Sequence, residues 1–314
     1  IIPLAVLAVV GLGALGGHNL GREFFPATDA GLIRLFVRLP AGLRVEETAR
    51  KFAEIQHAIR STIPPDELLF VVENIGLPSA VNLAWIESTA ATTSDGEILI
   101  QLRPGLSAVE RTTSALRAML ARDFPDARFF FRAADATSQT LSGGASTAFE
   151  VGFIGRDVKG NLALADELIA RLRATPGAVD VTLREVLDRP EYFLEVDRVR
   201  ASKLGVTQQD AVSAVLAALG SGGSVSPSFW ADPVNGVSYE VQLQVPPSSL
   251  TNVDQLMGLP VTPSNGSAPV LLGAFATITE RRAPAMVSRA TLLPKATVLA
   301  NVEGTDIGSV LDRL

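Results

Sequence analysis

At 314 residues the chain is long enough for two or three domains, each burying its own core. Its net charge of −6, its pI near 5.1 and the absence of any Lys/Arg run longer than two exclude the clustered basic face that a phosphate backbone needs, so no nucleic-acid partner is expected. Zero cysteines exclude disulfides, thiolate catalysis and cysteine metal sites together, and the mean hydropathy of +0.29 is raised in part by the first seventeen residues.

Those residues, Ile1 to Gly17, carry no charge. A bilayer crossing takes about twenty apolar residues, roughly 30 Å of helix. The reading is the end of a transmembrane helix over 1–22, leaving the membrane near His18 to Arg22, with a buried core helix as the alternative. Gly11, Gly13 and Gly16 match a dinucleotide fingerprint, but no amphipathic helix follows to hold a pyrophosphate at its N-terminus, so no cofactor is expected. Phe24-Phe25-Pro26-Ala27-Thr28-Asp29-Ala30-Gly31 then forms the hinge to the water-exposed part.

The first module spans 23–146. Leu32 to Leu39 alternates as a strand, with Ile33, Leu35 and Val37 on one face and Arg34, Phe36 and Arg38 on the other. Val45, Phe52, Ile55, Ile59 and Ile63 recur at helical spacing until Pro64-Pro65. His57 falls on the polar side of that helix and reads as solvated. Leu68 to Val72 and Glu97 to Leu102 are further strands, joined by a long polar loop containing Asn74-Ile75-Gly76-Leu77-Pro78. A capping box at Ser107-Ala108-Val109-Glu110 opens a helix carrying Val109, Leu116, Leu120 and Phe124. Arg128 to Arg132 closes the module as a strand. Its three consecutive phenylalanines cannot all face inward, so at least one meets a cleft or a partner domain. The order is βαββαβ, the ferredoxin-like arrangement.

A second module starts at 147–186. Phe149 to Gly155 is a strand, Asn161 to Ala174 a helix with Leu164, Leu168 and Leu172 inward, and Val179 to Leu183 a strand. The pattern repeats the first module and is then interrupted over 187–285. The insertion has a strand at Tyr192 to Val196, a helix capped at Thr207 carrying Val212, Val215, Leu216 and Leu219, and a hairpin turning at Asn235-Gly236. The missing half resumes over 286–314, with a strand from Lys295 to Val302 and a helix opening at Ile307.

The series Phe25-Pro26-x-x-Asp29-x-Gly31, Leu39-Pro40-Ala41-Gly42 and Ala201-Ser202-Lys203-Leu204-Gly205-Val206, in that order and spacing, resembles the C-terminal half of resistance-nodulation-division (RND) efflux permeases of the AcrB-like multidrug class. The resemblance covers essentially the whole chain. It implies an α+β fold: two ferredoxin-like porter subdomains, the second interrupted by an inserted α+β docking subdomain, after the end of a transmembrane helix. It further implies a homotrimer in the bacterial inner membrane with these domains in the periplasm. An adaptor (membrane fusion protein) and an outer-membrane channel would be engaged through the docking subdomain. Small amphiphilic drugs would be exported at the expense of proton flow, through residues outside this chain.

Carried over by position, the resemblance places a deep apolar pocket at Phe70, Val72, Ile75, Leu77 and Leu99, with Gly76 giving the loop its mobility. An outer cleft would use Arg34, Phe36, Phe130 and Arg132. Ile75 and Leu77 stand where aromatic residues are common in the family, and Arg34 and Arg132 add two cations, so a preference for anionic or zwitterionic amphiphiles is expected. Without the resemblance, Phe70, Val72 and Leu99 read as strand core and the two arginines as solvated. Trp85 and Trp230 fall in loops; Trp230 reads equally as a docking contact and a local anchor.

Three rivals remain. Metal export calls for Met, His or Cys ligands on the cleft, and Met119, Met257 and Met286 fall elsewhere. An enzyme calls for a catalytic motif; H-E-x-x-H, the P-loop and G-x-S-x-G are all absent. A non-transporting periplasmic interaction, adaptor or export-accessory module fits the fold equally, since such folds host many functions.

Overall fold

The computed structural model describes residues 31–76, 90, 92–103, 109–132, 147–220, 228–241, 245–246 and 249–314. The expected membrane helix over 1–22, the hinge as far as Ala30, Leu77, Trp85 and the capping box at Ser107 lie outside them. Among the described residues no helix is long and apolar enough to cross a membrane. The chain divides into two compact units, one of residues up to Arg189 with Ala283–Leu314, the other Pro190–Arg282.

The first unit begins with β1 (Leu32–Arg38), α1 (Val45–Thr62), β2 (Leu68–Ile75), β3 (Asp95–Leu102), α2 (Val109–Asp123) and β4 (Arg128–Arg132). The four strands form one sheet in the order β2-β3-β1-β4, every neighbouring pair antiparallel. Period-two alternation puts Ile33, Leu35, Val37, Val71, Ile98, Ile100 and Phe131 on the face that packs against α1 and α2. The helices answer with Phe52, Ile55, Ile59, Leu116, Met119 and Leu120. Gly96 is required here, because a Cβ at that position would sit 2.5 Å from the Phe52 ring. The strand β2 runs to Ile75, three residues beyond its predicted end, because Asn74 and Ile75 pair with Glu97 and Gly96.

The repeat follows with β5 (Phe149–Ile154), α3 (Val158–Ala174) and β6 (Ala178–Leu183), and is completed beyond the second unit by β13 (Ser288–Ala290), β14 (Leu293–Val302) and α7 (Ile307–Arg313). The late strand β14 pairs with β5 on one side and with β6 and β13 on the other, all antiparallel. Strands separated by the insertion thus build one sheet, over a core of Phe149, Ala165, Ile169, Leu172, Val298 and Val310. Of the three leucines predicted inward on α3, Leu172 is buried and Leu168 packs against the core, whereas Leu164 is 51% exposed; Asn161, Ala165 and Ile169 complete the inward face. Asn161 is buried because its amide donates to the carbonyls of Gly155 and Pro294.

The second unit contains β7 (Arg189–Val196), α4 (Arg198–Lys203), α5 (Gln208–Leu219), the hairpin β8 (Ser228–Ala231) and β9 (Ser238–Val241), α6 (Val253–Met257), β10 (Pro260–Val261), β11 (Val270–Leu271) and β12 (Ala276–Ala283). Thr207 and Asp210 form a reciprocal capping box at the start of α5. That helix buries Ala211 and Ala218 and packs Val215 against the core, leaving Val212, Leu216 and Leu219 exposed.

Candidate functional site

The sheet face turned away from α1 and α2 carries most of the chemistry. Register alone aligns Val72, Leu99, Arg34 and Arg132 across the four strands, with Asn74, Glu97, Phe36 and Phe130 in the next row. A third row is Asp95, Arg38 and Arg128. Seven of the ten expected site residues therefore share this face: Phe70, Val72, Leu99, Arg34, Phe36, Phe130 and Arg132. Ile75 has the opposite parity and packs on the core. Gly76 ends β2 at φ +81°, a conformation only glycine adopts without strain, and its N–H donates to the Asp95 carbonyl at 2.7 Å.

Arg34 and Arg132, expected as two unbalanced cations, share one buried carboxylate on this face, that of Glu97. Arg34 Nε donates to Glu97 Oε1 at 2.5 Å and its Nη2 to Oε2 at 3.0 Å, with Arg34 6% and Glu97 7% exposed. Arg132 Nη1 stands 3.7 Å from the same carboxylate. One row on, Arg38 holds buried Asp95 through Nε at 2.9 Å. A fork of guanidinium donors on one carboxylate is a strong, directional contact once water is gone. Glu97 was the residue that sequence reasoning missed. Its signal was the alternation Asp95, Glu97, Leu99, Gln101, which puts the acids on the arginine face once β3 is placed beside β1. Among the described residues Arg128, at the exposed end of β4, makes no ion pair.

Part of this face forms one wall of a cleft of about 550 Å³, its open mouth included. Phe36, Arg38, Arg128, Phe129, Phe130 and Arg132 line that wall, and Thr147, Thr182, Leu183, Arg184 and Leu299 of the second module line the other. Phe130 is the phenylalanine of the triplet that turns from the core into the cleft, only 5% exposed, while Phe129 and Phe131 pack on the helix side. Arg34, Phe70, Val72 and Leu99 do not line the cleft. Across it, Arg184 Nη2 donates to Glu150 at 2.8 Å, and Lys295 Nζ reaches the same carboxylate at 3.1 Å. Burial pushes the Glu150 carboxyl up, but Arg184 and Lys295 outweigh it and hold it below the ordinary value. Arg184 Nε is buried with no acceptor.

The two walls are tied together beside the cleft. Arg117 on α2 reaches Asp180 on β6 through Nε and Nη2, at 2.8 and 2.9 Å, and Glu303 through Nη1 at 2.5 Å. Burial lowers the Arg117 pKa, and the two carboxylates more than restore it, leaving it raised. Asn301 adds a donor to Asp180 at 2.9 Å and to the Phe131 carbonyl at 2.5 Å. Asp180 holds this place with φ +55°, a left-handed conformation that Asp tolerates better than most residues.

Among the described residues no group of three or more His, Asp or Glu could hold a metal ion. No methionine lines the cleft: Met119 is in the first core, and Met257 packs against the core of the second unit.

A family profile described as AcrB/AcrD/AcrF matches residues 1–313. The chain belongs to the AcrB/AcrD/AcrF family of RND efflux permeases. It is similar to the cobalt-zinc-cadmium resistance protein CzcA of Cupriavidus metallidurans, 23% identical over 320 residues, covering 98% of this chain and 29% of CzcA. It is also similar to the nickel-cobalt-cadmium resistance protein NccA of Alcaligenes xylosoxydans xylosoxydans, 24% identical over 317 residues, covering 98% of this chain and 28% of NccA. The crystal structure of a heavy metal efflux pump superposes with a TM-score of 0.78 at 26% identity, over 99% of this chain and 31% of that one. The chain thus spans less than a third of the length of these relatives. They are metal-resistance proteins, whereas the sequence motifs suggested the multidrug class.

Proposed function

We propose that the chain is the periplasmic part of an inner-membrane RND permease that exports organic amphiphiles. The match across residues 1–313 supports the permease assignment. The cleft supports the cargo: three phenylalanines, two aliphatic residues and four arginines line it, a surface suited to an apolar body bearing polar groups. In this reading the two repeated modules are ferredoxin-like porter subdomains and Pro190–Arg282 is the docking subdomain. The permease works as a homotrimer with an adaptor and an outer-membrane channel, is driven by protons, and performs no enzymatic step.

Divalent metal export is the second reading, favoured by the similarity to the metal-resistance proteins CzcA and NccA. Expression of the intact permease in a pump-deficient Gram-negative strain, together with its adaptor, separates the two. Reduced accumulation of amphiphilic dyes with unchanged zinc, cobalt and cadmium is expected. Reduced metal accumulation with unchanged dyes makes it a metal pump, and no change in either removes the export function.

A further inference from the structure

We propose that the cleft selects anions: aromatic or aliphatic cargo carrying a carboxylate or sulfonate, held by Arg128 and Arg184 against Phe36 and Phe130. This deepens the organic-cargo reading and rests on it. Each cleft arginine differs in what already satisfies it. Arg38 is held by Asp95, and Arg132 stands near Glu97. Arg184 gives Nη2 to Glu150, yet its Nε is buried with no acceptor, a donor whose desolvation nothing in the protein offsets. Arg128 lies on the opposite wall and has no carboxylate within ion-pairing distance among the described residues.

An oxyanion between the two walls gives Arg128 its missing counter-charge, and a small rotation of Arg184 that brings its buried Nε to the cleft surface gives that donor its missing acceptor. Guanidinium groups match a carboxylate or sulfonate through paired N–H donors, which a lone metal cation cannot accept. Phe36 and Phe130 then receive the apolar body. The lining contains no carboxylate; Asp126, Glu185 and Asp188 line a neighbouring space that shares Arg38 and Arg128. A cationic dye or a divalent metal entering the cleft meets four guanidinium groups and no acidic side chain of the lining. The selecting residues are therefore Arg128 and Arg184 rather than Arg34, whose charge Glu97 already neutralises.

The test is probe binding to the purified intact permease, with 8-anilinonaphthalene-1-sulfonate as the anion, ethidium as the cation and zinc chloride as the metal. Arg128→Gln is exposed and unpaired, so it reports binding without a folding penalty. Arg184→Lys retains a cation for Glu150 and removes Nε. Each is expected to weaken the sulfonate probe about tenfold and to leave ethidium unchanged. Sulfonate affinity unchanged in both variants, tighter wild-type binding of ethidium, or displacement of the sulfonate by zinc overturns the proposal. Cell accumulation of the same probe separates the two levels. Binding that depends on the arginines without any export leaves the anion site standing and sinks the organic-cargo permease reading. Export that ignores both variants sinks the anion site and leaves the permease.

Discussion

The two faces of the first sheet bury side chains by opposite means. The helix face is buried by apolar packing of Leu35, Val37, Ile98 and Ile100 against Phe52, Ile55 and Ile59. The open face buries Arg34 and Glu97 as an ion pair and places Phe130 beside them. Apolar burial there would be cheaper, since desolvating two charges costs several kcal/mol that their attraction only partly returns. A fold that needed stability alone would repeat the helix face. The charged face is also the one that supplies a wall of the cleft.

The largest expected effect breaks one side of that comparison. Glu97→Ala leaves Arg34 buried without its carboxylate and should cost about 3–5 kcal/mol, read as faster hydrogen exchange of β1 and β3 amides in the intact permease. Phe52→Ala, on the helix face, should cost a similar ~3–5 kcal/mol by opening a cavity. Rescue distinguishes the faces. The double variant Arg34→Leu with Glu97→Leu should recover most of the Glu97→Ala loss, because an apolar pair of similar volume replaces a buried ion pair at little net cost. A double variant as unstable as Glu97→Ala would show that the charges are structural after all.

A smaller effect concerns the tie between modules. Asp180→Asn keeps the shape but removes the charge facing Arg117, which retains Glu303. A loss of about 1–3 kcal/mol is expected, seen as faster exchange in β4 and β6 with the interior of α1 unchanged. Smaller still is the acid response of Glu150. Its folded pKa lies below its unfolded value, so its contribution is present above the unfolded value and is lost as pH falls through the folded one. Glu73 runs the other way. Burial raises its pKa against the pull of Arg60, so its contribution is present below the unfolded value and is lost as pH rises through the folded one. Glu73→Gln should therefore stabilise at neutral pH and give no gain in acid, while Glu150→Gln should flatten the acid loss. Identical pH profiles for the two variants would contradict these assignments.

Most of the first sheet was legible because its strands alternate cleanly and its turns carry Pro or Gly. Leu32 to Arg38 shows both faces in its letters. What was missed required knowing neighbours. Glu97 became the partner of Arg34 only once β3 lay beside β1, and Arg184 reached the cleft only because β14, more than one hundred residues later, pairs with β6. Helix faces were less legible than strand faces. In α3 and α5 the small residues Ala165, Ala211 and Ala218 go inward while Leu164, Leu216 and Leu219 stay out, because close packing at those positions favours little side-chain volume. Leucine spacing therefore misplaced Leu164 while reading Leu168 and Leu172 correctly.

The central claim is that the arginine and phenylalanine cleft is the cargo path. The chain has no cysteine, so Thr182→Cys on the cleft wall supplies a unique thiol within it. In the intact permease, with cysteines elsewhere removed, a bulky maleimide should label this position more slowly when an anionic dye is present. Once labelling is complete, dye export should stop. A fully labelled permease that exports the dye at the unlabelled rate would place the path elsewhere.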